Sequence, residues 1–162
     1  MRDTLVLTMR TAMRMFRRML VTYYLMNKVS GRSNGELCQF IRDIELYEYE
    51  PSELLSLAYD SGHYKKYFFT RLSHPRRTIN RQTQGGRWKI TGKQSYVNDK
   101  DGDAVATKTP LTYCKKQDPT SELEKTRWLM KEYMLLKSQQ SNQNDETPWT
   151  LCVLYYCHLK RR

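Results

Sequence analysis

The chain has 162 residues, of which 28 are Lys or Arg and 17 are Asp or Glu, for a formal net charge of +11. That length suits one domain with a core of its own. Twelve Tyr and three Trp argue against low-complexity disorder in its middle, while the charge balance calls for an anionic partner.

Residues 1–8 read as an N-terminal tail and 9–157 as a single domain. A helix is expected over 9–28, where Met9, Met13, Phe16, Leu20 and Tyr24 recur at helical spacing and Arg10, Arg14, Arg17 and Arg18 fill the remaining face. The run from Ser30 to Gly35 ends it. Met19 to Asn27, the longest uncharged stretch in this region, is too short to span a bilayer, so no membrane is expected. Leu37, Phe40 and Ile41 suggest a further short helix or turn. The acids Glu45, Glu48, Glu50 and Glu53 read as a solvated face, and Pro51 opens a short helix through Leu55. Strands follow at Tyr64–Thr70, Arg87–Lys93, Lys108–Lys115, Thr126–Leu135 and Trp149–Tyr156. Their Gly, Pro and Asp punctuation implies an antiparallel sheet. Asn98 to Asp103 reads as a hairpin loop, without the spacing of a calcium loop. Residues 137–147 read as a mobile polar loop and 158–162 as a basic C-terminal tail.

Chemistry of the catalytic kind finds no purchase here. P-loop, His-Glu-x-x-His and Gly-x-Ser-x-Gly patterns are absent, and His63, His74 and His158 stand alone. Cys38, Cys114, Cys152 and Cys157 form no Cys-x-x-Cys pair. They read as free thiols rather than zinc ligands. We expect no enzyme, no metal and no cofactor.

The strongest local signal is Arg76 to Lys93, which carries six basic residues and no acid, inside an acid-free zone from Ser61 to Asn98. After the Gly85-Gly86 turn the residues alternate. Lys89, Thr91 and Lys93 would fall on one side of a strand, with Trp88 and Ile90 buried on the other. Such a strand suits a nucleic-acid groove, where cations hold phosphates and donors reach base edges.

Asn80-Arg81, Thr83, Gly86 and Trp88-Lys89-x-Thr91-Gly92-Lys93 resemble the Asn-Arg-Ala-Thr … Gly-Tyr-Trp-Lys-Ala-Thr-Gly-Lys-Asp signature of the NAC family of plant transcription factors. Further matches come in the same order. Leu20-Val21-Thr22-Tyr23-Tyr24-Leu25, Glu50-Pro51-x-x-Leu54, Tyr67-Phe68-Phe69, Thr126 to Tyr133 and Trp149-Thr150-Leu151-Cys152 are each similar to a family segment. The resemblance implies an α+β, mainly β fold: a twisted antiparallel β-sheet flanked by a few helices. It implies sequence-specific binding of double-stranded DNA in the nucleus, at short sites with a CGT or ACG core. Carried over, Arg87 to Lys93 enters the major groove, and Lys89, Thr91 and Lys93 contact base edges and phosphates. Gly92 permits close backbone approach, and Arg76, Arg77 and Arg81 clamp phosphates beside the groove.

The chain also departs from the family. The Pro-Pro-Gly-Phe-Arg-Phe-x-Pro-Thr-Asp-Glu-Glu arm, which contributes to the family's dimer interface, is replaced by Met- and Arg-rich sequence over residues 5–19. Two such arms would set eight arginines across a twofold axis, so a monomer or weak homodimer is expected, pairing better with an acidic-armed relative. The family's long regulatory tail has no counterpart after Arg162. Two further function classes therefore stand beside the first: an interaction protein that pairs with full-length relatives and blunts them, with weak DNA binding of its own, and a decayed gene product that folds poorly.

Overall fold

A computed structural model describes residues 2–32, 41–59, 64–72, 79–140 and 147–158, with the side chains of 2–9 excepted. Helix α1 (Arg2–Met19) runs into a π-helical turn, Leu20–Leu25, and then α2 (Met26–Val29). Ser30 and Arg32 donate back to Met26 and Asn27, and Gly31 takes φ +73°, the left-handed conformation that suits a helix end. The helix thus starts earlier than expected, and the π turn was not foreseen.

Strand β1 (Arg42–Asp43) comes next, followed by a 3₁₀ turn (Leu46–Glu48) and α3 (Pro51–Leu57). Pro51 opens α3 as expected. Its start is fixed by a capping box in which the Glu50 and Glu53 side chains each bond the other's backbone N–H. The remaining strands are β2 (Lys66–Arg71), β3 (Gly86–Ile90), β4 (Ser95–Asn98), β5 (Ala104–Lys115), β6 (Glu124–Leu135) and β7 (Trp149–Tyr156).

They form one seven-stranded sheet in the order β1-β2-β7-β6-β5-β3, with β4 also on β5. Neighbours pair antiparallel except β1 with β2. The expected strands are all present; β1 and β4, both short edge pieces, are additions. The 98–103 loop closes the β4–β5 hairpin, with Asp99 accepting the N–H groups of Asp101 and Asp103.

The sheet is covered on both faces, which explains the continuous apolar run of β7. On one face the Leu20–Leu25 turn packs against Phe69, Tyr133, Leu151 and Val153. On the other, Leu46 and Leu54 meet Phe68, Trp88, Tyr113, Cys152 and Leu154. Side chains alternate between the faces, so adjacent Phe68 and Phe69 serve different cores. Cys114 and Cys152 are buried free thiols and Cys157 is half-buried. Of the helix arginines, Arg10 and Arg14 are exposed, whereas Arg17 and Arg18 are half-buried and Arg18 Nε donates to the Asn98 carbonyl. The like-charge surface is therefore smaller than the sequence suggests. Cys38, the Leu37–Phe40 segment and most of the 137–147 loop lie outside the described residues.

Candidate nucleic-acid interface

Strand β3 is anchored on its buried side. Trp88 is 2% exposed and stacks obliquely on Tyr113, with ring centroids 5.2 Å apart. Gly86 pairs with Lys115. A Cβ on Gly86 would fall on the Cys114 carbonyl and within 2.6 Å of the Tyr113 hydroxyl, so the backbone here needs glycine. The pairing puts Arg87 opposite Cys114 and Lys89 opposite Thr112. These two cations share one side of the strand, away from Trp88, and both are exposed.

The turn leading into β3 is held by polar groups. Thr83 N–H donates to the Gly86 carbonyl at 3.0 Å, and Gly86 N–H donates to Thr83 Oγ1 at 3.1 Å. Thr83 Oγ1 lies 2.7 Å from the Tyr113 hydroxyl. Glu50 accepts from that hydroxyl and, at 2.7 Å, from Gly85 N–H. Burial works to raise the Glu50 carboxyl, but the bonds from Tyr113 and Gly85 outweigh it and hold it below its ordinary value. Glu50 therefore corrects the solvated-face expectation. It clamps the turn, whereas Glu45 and Glu48 are exposed.

Arg81 also differs from its expected task. Its Nε and Nη2 donate to the two carboxylate oxygens of Glu132 at 2.9 and 2.7 Å, and Tyr47 donates to the same carboxylate. Glu132 is 3% exposed. Burial pushes the Glu132 carboxyl up and the Arg81 guanidinium down, and the bidentate contact holds the two as an ion pair. Two of the guanidinium nitrogens of Arg81 are thus engaged within the protein. Arg81 also fixes the chain, since its carbonyl accepts Trp88 N–H at 2.9 Å.

Beyond Ile90 the strand ends. Ile90 is 56% exposed, contrary to the expectation of burial. Thr91 N–H still donates to the Pro110 carbonyl, and Thr91 Oγ1 lies 2.7 Å from Thr112 Oγ1. A Cβ on Gly92 would sit 2.7 Å from Pro110 Cγ, so the close approach at this glycine is to the protein's own sheet. Lys93 is exposed. Arg87, Lys89, Thr91 and Lys93 therefore lie along one sheet edge, while Arg76 and Arg77 fall outside the described residues.

Sequence reasoning missed Tyr113 and Glu132 as supports. Glu50 lay within a matched segment, Glu-Pro-x-x-Leu, which was the available signal.

These features define a mainly-β domain that displays a rigidly backed basic strand at the sheet edge. The family model for No apical meristem (NAM) protein matches residues 16–135. NAC domain-containing protein 76 of Arabidopsis thaliana is 34% identical over 139 residues, covering 82% of this chain and 35% of that protein. NAC domain-containing protein 72 of the same plant is 33% identical over 140 residues, covering 84% of this chain and 45% of its own. The chain belongs to the NAC domain family. It spans less than half the length of these curated relatives.

Proposed function

We propose that the chain is a transcription regulator that binds double-stranded DNA in the nucleus, with β3 laid into the major groove. The observation that carries this is the pairing of the exposed cations Arg87 and Lys89 with a buried anchor, Trp88, on a five-residue strand. A strand backed by a packed core can enter a groove without losing its shape, and a two-stranded β-ribbon fits the major groove. Lys89 and Lys93 take base edges and phosphates, Thr91 adds a hydroxyl at the strand's end, and Arg87 holds a phosphate. Arg76 and Arg77, just upstream, extend the phosphate contact. Arg81, Gly92, Glu50 and Tyr113 set the geometry. Family membership supports the same reading.

Without Arg81, the phosphate-contacting cations number roughly three to five. The log–log salt dependence of duplex affinity should then have a slope of about −3 to −5, at about −0.9 for each phosphate neutralised. Fluorescence anisotropy of a labelled duplex between low and moderate salt measures it. An affinity indifferent to salt would refute the interface.

A further inference from the structure

A second cationic cluster lies away from β3's free edge, on the sheet face that carries the long helix. Lys108 of β5 pairs with Tyr133 of β6, and Pro110 pairs with Lys131. Lys108 and Lys131 are thus diagonal neighbours on one face, roughly 7–8 Å apart at Cα. Lys131 Nζ lies 5.6 Å from the centroid of the Tyr155 ring, and Lys65 Nζ lies 5.8 Å from the same centroid. Arg17 comes down from α1 onto the same face, near Tyr133. All four cations are half-buried.

The Arg17 Nε–H is buried and has no acceptor among the described residues. Burial first, then Lys108, Lys65 and Arg17, lowers the Lys131 ammonium to about 8. Burial and Arg17 lower Lys108 as well. Among the described residues, the charged groups that act on Lys131 are Lys108, Lys65 and Arg17, all cations. The half-buried like charges of Arg17, Lys108 and Lys131 destabilise the fold they sit in, and their arrangement, with Lys65 beside Lys131 at the Tyr155 ring, suits an anion.

We propose that Arg17, Lys65, Lys108 and Lys131 form a phosphate-binding site on the helix-bearing face of the sheet, distinct from the β3 strand. The planar guanidinium, whose buried Nε–H is without an acceptor among the described residues, presents a donor fork, and the lysines supply point charges around it. The phosphate has two sources, a free oligophosphate or the backbone of a bound duplex. Both present the same oxygens.

The test uses the full chain with inorganic pyrophosphate at fixed ionic strength, read by calorimetry and by melting temperature. The Lys108→Met/Lys131→Met variant keeps the aliphatic stems and removes two charges. Lys100→Met/Lys116→Met, at exposed lysines elsewhere, is the control. Removing two charge-assisted hydrogen bonds should weaken pyrophosphate binding more than about tenfold in the first variant, and the control should bind as the wild type does. Without anion, the first variant should also melt above the wild type, which a merely structural role would not produce. Should pyrophosphate fail to distinguish the proteins, a duplex salt slope shallower by about two in the first variant alone assigns the site to backbone phosphate. Equal pyrophosphate binding with an unchanged slope overturns the site. So does equal pyrophosphate binding with no duplex binding at all. The pyrophosphate arm needs no DNA, so it separates this site's failure from that of the major-groove reading. If the double variant does not fold, Lys131→Met alone carries the same comparison.

Discussion

Arg81 offers the sharpest division between a fold role and a contact role. Arg81→Ala removes two bonds to a carboxylate that is 3% exposed and leaves only Tyr47 donating to it. Breaking a buried pair by deleting one partner costs about 3–5 kcal/mol. At about 2–4 °C per kcal/mol for a chain of this size, the melting temperature should fall by about 6–20 °C. Affinity alone would not interpret that variant, because part of the sample would be unfolded. The informative protein is Arg81→Met/Glu132→Leu, which replaces the ion pair with apolar groups of similar volume. Such exchanges are often neutral or stabilising, and half-buried Tyr47 can turn to water. The double variant should regain most of the lost melting temperature in a thermal scan. It should bind a duplex within about threefold of the wild type, with the same salt slope, because no phosphate contact has gone. A folded double variant with affinity down tenfold and the slope shallower by one would show that Arg81 touches phosphate.

Three further outcomes follow from the geometry. Gly86→Ala should destabilise by about 1–3 kcal/mol in a urea titration, because the new methyl meets the Cys114 carbonyl and the Tyr113 hydroxyl; an unchanged midpoint would contradict the β3–β5 approach. Trp88→Ala should cost about 3–5 kcal/mol, and Trp128→Ala less, because Trp128 is only half-buried; a Trp88→Ala protein that keeps its melting temperature but loses DNA would make this ring a contact. For Lys131, the folded ammonium lies at about 8 and the unfolded one at about 10.4. The unfolded chain therefore binds more protons between these values, and the wild type gains stability as pH rises through that window. The melting advantage of Lys131→Met at pH 7 should accordingly shrink between about pH 8 and 10.5, and a constant difference would refute the charge crowding.

The sheet was legible because its inner strands are dense in apolar residues. β7, covered on both faces, was bounded correctly, its hydrophobic run coinciding with the matched segment Trp149-Thr150-Leu151-Cys152. Its short edge neighbours carried little signal. Tyr96 is 68% exposed and β4 buries only Val97, so alternation there is weak. The basic strand was legible from Gly86, Trp88 and Lys89 in sequence, yet its end was not. Ile90 faces solvent because β3 stops there and the chain turns along Pro110. The polar supports were hidden for another reason. Arg81 and Glu132 are 51 residues apart, and Tyr113 and Glu50 are 63 apart. No local window shows that two charges will meet inside a core, so both Arg81 and Glu50 read as surface residues.

The central claim is that the exposed side of β3 reads base edges. Selection from a pool of random duplexes, run in parallel with wild type and Lys89→Ala at one salt concentration, tests it directly. Lys89 is exposed, so the variant should melt as the wild type does. The wild type should enrich a short site. In Lys89→Ala, discrimination should weaken at one or two base positions by about 1–3 kcal/mol, roughly 10- to 100-fold. An unenriched pool, or the same preference in both proteins, would contradict it.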